Sequence, residues 1–160
     1  MVVECLLMLF GFQLILLVHE LAHAAVGKVA GIRNVEVIIG VGRKLLRWRG
    51  IEWRVLPIGG RCRFDAESHN KLTRSQKAAI ALAGPGSNLM LAWLLMIASA
   101  PASLIQVSLI LGVINLIPLP RTDGWQALMQ WINSPQLAEF AVNPWVVEGV
   151  LAICAVWILL

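Results

Sequence analysis

The chain has 160 residues, 59% of them hydrophobic and 14% charged, with a formal net charge of +4. Soluble domains run at about one half and about one quarter, so these values and a mean hydropathy of +0.78 exclude an ordinary soluble domain and predict one integral membrane unit in a lipid bilayer. The scattered Cys5, Cys62 and Cys154 give neither a disulfide framework nor a cysteine metal site.

Residues 1–30 form the first apolar segment, long enough at about 1.5 Å per residue to cross a bilayer. No basic region precedes it, so a cleaved signal peptide is not expected. Lys28 and Gly31 suit the end of this helix. Inside it lie His19, Glu20 and His23, an H-E-x-x-H pattern. Positions i and i+4 share one helix face, so both imidazoles can reach one metal ion, with Glu20 beside them to take a proton from a bound water. The plainer alternative is two histidines hydrogen-bonded within a helix bundle. Ionisable residues in a segment of this length are costly and most often functional.

Twelve of the thirteen Lys and Arg residues lie between Lys28 and Lys77. They alternate with strand-like apolar positions and never form a long run, which argues against nucleic acid as a partner. Instead they orient the chain, with region 28–77 cytoplasmic and the N-terminus outside. Residues 33–65 carry β-branched and alternating runs punctuated by Gly40, Gly42, Gly50, Gly59 and Gly60, which predicts three or four short strands. The two plain uses of such a region are a solvated loop and a partly inserted sheet whose free edge pairs with an extended peptide. Trp48 and Trp53 among arginines suit a membrane interface. Asp65, Glu67 and His69 lie in a charged linker and are not expected to bind metal.

Residues 77–98 are the second apolar segment, broken by Gly84-Pro85-Gly86-Ser87-Asn88. Small residues there permit close helix approach, and Asn88 needs a polar partner. Residues 103–133 form a third segment, interrupted where Pro118-Leu119-Pro120 opens the backbone before Arg121-Thr122-Asp123-Gly124. Residues 144–160 are a fourth. Glu4, Glu139 and Glu148 fall near segment ends. The predicted fold is an all-α polytopic membrane protein with about four transmembrane segments and a small membrane-associated β-region between the first and second.

Counting along these segments from the basic side puts His19 about 13 Å deep, Asp123 about 15 Å, and Gly84 to Asn88 about 10 to 16 Å. Three separate stretches therefore bring polar residues to one depth, as a shared buried site requires. Asp123 is the natural third ligand to a zinc ion that keeps its fourth position for water. The alternatives for Asp123 are a pair with Arg121 and a protonated, structural carboxyl.

His19-Glu20-Leu21-Ala22-His23, Ala83-Gly84-Pro85-Gly86-Ser87-Asn88 and the N-x-x-P-x-P-x-x-D-G run from Asn115 to Gly124 together resemble the site-2 protease family of intramembrane zinc metalloproteases. Leu56-Pro57-Ile58-Gly59-Gly60 is similar to the P-x-G-G stretch of that family's β-region. The resemblance covers about residues 5 to 133. It implies one Zn2+ held by His19, His23 and Asp123, with Glu20 as the general base. It also implies that Asn88, Gly59 and Gly60 lie against the peptide. The implied reaction is hydrolysis of a peptide bond in or near a transmembrane segment of a membrane protein, in a bacterial or archaeal cell membrane. With little beyond a catalytic core, control would fall to substrate preparation or a regulatory partner. Thr122 and Trp125 depart from the family pattern, which has an apolar and a small residue there. The competing function is a zinc-binding membrane protein without protease activity, such as an inactive homologue.

Overall fold

The first apolar run folds as α1 (Val2–Val29). The structure is a computed structural model and describes residues 2–132. α1 stops as its sequence predicts. Gly31 adopts a φ of 104°, its N–H donates to the Lys28 carbonyl, and the Ile32 N–H donates to the Gly27 carbonyl, both at 3.0 Å. A glycine in the left-handed region satisfies the last carbonyls this way, and Ile32, buried at the turn, anchors it.

Two 14-residue strands follow, β1 (Val35–Trp48) and β2 (Ile51–Phe64), paired antiparallel. Arg49 and Gly50 turn the hairpin with φ of 49° and 86°, the pairing of positive φ that matches strand twist in two-residue loops. The expected three or four short strands are therefore two long ones. The shortness suggested by the glycines arises because the strands bend. Val37, Ile38 and Ile39 face Cys62, Arg61 and Gly60 on one side and Ile51, Glu52 and Trp53 on the other. That segment is thus the buried centre of the sheet. Val37 and Ile39 pack on Ala24 of α1, joined by Leu17, Ile51, Trp53 and Cys62. The far half of the hairpin projects outward and leaves Leu45, Leu46 and Trp48 exposed beside Arg43, Lys44 and Arg47.

The polar linker contains α2 (Ala66–Asn70), whose N-cap Asp65 accepts from Ser68 N–H. Helix α3 (Arg74–Ile97) begins three residues earlier than Lys77, because Thr73 and Gln76 form a capping box. Its buried face is mostly small, with Ala78, Ala81, Gly84, Pro85 and Ala92 beside Ile80 and Asn88, which lets α1, α4 and α5 pack closely against it. Helix α4 (Ala102–Leu116) ends ahead of the two prolines, and after an irregular turn α5 (Asp123–Met129) resumes.

The all-α expectation is corrected by this structure, which mixes helix with 28 strand residues, 14 in each strand. β-branched alternation and glycine bends gave residues 35–64 a real sheet, buried against α1. The count of spans is corrected too. Among the described residues two helical stretches are long and apolar enough to cross a membrane, Leu7–Val29 and Arg74–Ile97. Helix α4 has 15 residues, about 22 Å against a hydrocarbon core of about 30 Å. Pro118 and Pro120 account for that stop. The fourth expected segment, 144–160, lies outside the described residues.

Candidate metal centre

His19, Glu20 and His23 occupy adjacent positions on the buried side of α1, each 6% exposed. One helical turn sets the two rings edge to face, with their Nε2 atoms 3.1 Å apart. Asp123 Oδ2 lies 3.0 Å from His19 Nε2 and 3.4 Å from His23 Nε2. Among the described residues these three form the one group of His, Cys or carboxylate side chains able to hold a metal ion. Asp123 therefore meets the histidines across a gap of 104 residues, and no ion pair joins it to Arg121 among the described residues.

The donor set fits zinc. Ligand atoms about 2.0–2.1 Å from a tetrahedral ion stand about 3.3 Å from one another, and the three separations here bracket that value. His23 Nδ1 donates to the Ile80 carbonyl at 2.7 Å, which leaves the Nε2 lone pair free, the usual arrangement of a ligating histidine. Space is kept open by Gly84. A Cβ there would lie against Nε2 of His23 and 2.6 Å from Nε2 of His19, where an ion shared by both would need room.

Asp123 owes its position to the broken backbone. Ile117 caps α4 in an extended conformation, so the chain leaves the helix axis there. Thr122 then ties the turn together. Its hydroxyl lies 2.7 Å from the carbonyls of both Ile117 and Leu119, to which it donates, and it accepts from Trp125 N–H as the cap of α5. Gly124 lets α5 press onto the end of α4, since a Cβ would run into the Leu116 carbonyl. Thr122, which stands out in the sequence as a departure, is thus a structural fastener beside the site. The hydroxyl at the first helical boundary is the signal that would have found it.

Glu20 faces the sheet. A Cβ on Gly60 would lie 2.7 Å from Glu20 Oε1 and 2.8 Å from its Cγ, so β2 crosses directly over the carboxylate. Gly59 and Gly60 line a cavity of about 740 Å³ together with His19, Glu20, His23 and Asp123. Cys62 also borders it. Burial first, and the Glu20 charge second, push its thiol up to about 12. Asn88 is fully buried, and its side-chain Nδ2 donates to His19 Nδ1 at 3.1 Å. Arg121, with a φ of 75°, is exposed at the cavity. Asp65, Glu67 and His69 of the linker each engage a separate partner. Asp65 caps α2, Glu67 pairs with Lys71, and His69 stacks on Phe64.

Residues 7–104 match the model of peptidase family M50, a stretch that includes most of α1, the sheet and α3 but not Asp123. Two curated bacterial proteins, both provisionally named as zinc metalloproteases, are similar to the chain. One, from Clostridium acetobutylicum, is 33% identical over 96 residues, 52% of this chain and 28% of the relative. Another, from Clostridium perfringens, is 35% identical over 107 residues, 59% of this chain and 32% of the relative. The chain thus spans about a third or less of the relatives' length.

Proposed function

The chain belongs to peptidase family M50, the site-2 protease family, and from that premise we propose that it is a zinc-dependent endopeptidase unit acting on membrane-spanning substrates. The observation that carries this reading is the meeting of His19, His23 and Asp123 within 4.8 Å, with the Glu20 carboxylate buried on the same helix face. His19 Nε2, His23 Nε2 and Asp123 Oδ2 would hold the ion. Zinc bound there would supply Lewis acidity and an acidified water.

The chain's own residues do the rest. Glu20 takes a proton from the attacking water as the new C–O bond forms at the scissile carbonyl. It then gives that proton to the departing amine as the C–N bond breaks. Gly59 and Gly60 present backbone without side chains at the cavity wall, which suits an extended peptide laid beside β2. Asn88 stands within reach of the same cavity. A peptide bond in a helix is closed off by its own hydrogen bonds, so the substrate segment must unwind locally before it can lie there. Two apolar helices of spanning length support a membrane location. The basic stretch 28–77 favours the cytoplasmic side for the sheet, and the exposed Leu45, Leu46 and Trp48 beside cations fit a membrane surface.

Glu20→Gln tests this reading. The variant keeps its shape and the three ligands, so zinc should remain at one ion per chain by elemental analysis while cleavage of a single-span substrate falls by at least about 10³-fold. Turnover near the wild-type rate would refute the role given to Glu20.

A further inference from the structure

Among the described residues one buried side-chain polar atom lacks a hydrogen-bond partner, Asn88 Oδ1. An unpaired buried acceptor costs about 1–3 kcal/mol, and this one sits at the heart of the site. The other end of the same amide, Nδ2, is 3.1 Å from His19 Nδ1. A neutral imidazole carries its hydrogen on one nitrogen only. With Nδ2 donating to Nδ1, the His19 hydrogen is on Nε2 and points to Asp123 Oδ2, 3.0 Å away. That form suits a histidine–carboxylate pair, but its Nε2 has no lone pair left for a metal. His23 is in the opposite form, because its Nδ1 donates to the Ile80 carbonyl. With the amide in that orientation, the two histidines of one site would stand in different tautomers.

We infer that Asn88 is the acceptor that holds His19 in its metal-binding form, with the amide turned over so that Oδ1 faces Nδ1. The oxygen and nitrogen ends of an amide are close in size, so the same pocket accepts either. One half-turn would change three features together, while moving the unpaired end of the amide from Oδ1 to Nδ2. Oδ1 gains the donor it lacks, the hydrogen of His19 moves to Nδ1, and the Nε2 lone pair joins those of His23 and Asp123. The residue itself is firmly set: Ser108, also fully buried, donates its hydroxyl to the Asn88 carbonyl at 2.8 Å. Asn88 is then a positioning residue that acts through His19, as the acceptors behind ligating histidines do elsewhere.

The inference rests on the zinc reading, and the test separates the two. Zinc affinity is measured by chelator competition on the full chain in detergent, for the wild type, Asn88→Leu and Asn88→Asp. Leucine matches the volume without an acceptor and should weaken zinc about 10- to 100-fold. Aspartate keeps an oxygen facing Nδ1 and should stay within a few-fold of wild type. As a readout free of variants, ¹⁵N-histidine spectra of the zinc-loaded wild type should show His19 with a hydrogen-bonded Nδ1 proton protected from exchange. Equal affinity of wild type and Asn88→Leu, or an exchanging His19 Nδ1 in the loaded wild type, would overturn the role of Asn88 alone. A wild-type chain that binds no zinc would instead remove the metal reading on which it stands.

Discussion

A single hydrogen atom at Gly84 keeps open the space between two imidazoles. Replacing it with a methyl group puts carbon against both Nε2 atoms, and neither histidine can retreat because each is fastened at its other nitrogen. Gly84→Ala should therefore fold, with helical content retained by circular dichroism, yet bind zinc at least about 100-fold more weakly. Affinity within a few-fold of wild type would remove Gly84 from the site. Cys62 offers an independent probe of the other wall. A thiol pushed up to about 12 is protonated at neutral pH, so in a chain with Cys5 and Cys154 replaced by serine it should react with iodoacetamide about 10³-fold more slowly than a free thiol of pKa near 8.5. Because the raised value favours the neutral form, the rate should climb about tenfold per pH unit until the thiolate dominates. Glu20→Gln should speed it by removing the second cause. The two histidines and Glu20 were legible in the sequence, because their relation is fixed by the turn of one helix. The tasks of Gly84 and Gly60 were not, because they depend on how near α3 and β2 come to α1, and no periodicity encodes that distance.

At the scale of elements, the irregular turn between α4 and α5 decides whether the site is complete. Proline at 118 and 120 ends α4, Thr122 binds the turn, and Gly124 allows α5 to seat against Leu116. Gly124→Ala should push α5 away from α4 and carry Asp123 with it. The expected result is loss of about one ligand's worth of affinity, 10- to 100-fold in zinc binding, with the two histidines still able to bind weakly. An unchanged affinity would mean that Asp123 does not depend on this packing. The broken backbone was readable from the prolines, and the meeting of Asp123 with the two histidines from its depth along the chain. What the sequence did not reveal was how briefly the helix resumes, 7 residues in α5. The start of α3 was readable after all in Thr73 and Gln76, whose capping box moves the boundary three residues forward. The strands were recognisable by alternation, but their length was not. A glycine reads as a break whether the strand ends or bends, and Gly40 bends β1 where a Cβ would strike the Leu56 carbonyl.

For the whole molecule, high hydropathy correctly signalled apolar helices and misjudged the architecture. Composition counts apolar residues without saying which are buried in a sheet, and Val37, Ile38 and Ile39 spend theirs inside the hairpin packed on α1. The result is a sheet and a helical group that share one face, with β2 lying across Glu20 and α3 and α5 closing the other sides. The central proposal is that two distant parts of this chain, α1 and the start of α5, hold one zinc ion through His19, His23 and Asp123. X-ray absorption at the zinc edge, on the loaded Glu20→Gln chain, tests it most directly. The account predicts two imidazole nitrogens and oxygen ligands at about 2.0–2.2 Å, with one oxygen lost in Asp123→Ala and one imidazole lost in His23→Ala. A shell containing sulfur, or one left unchanged when Asp123 is replaced, would contradict it.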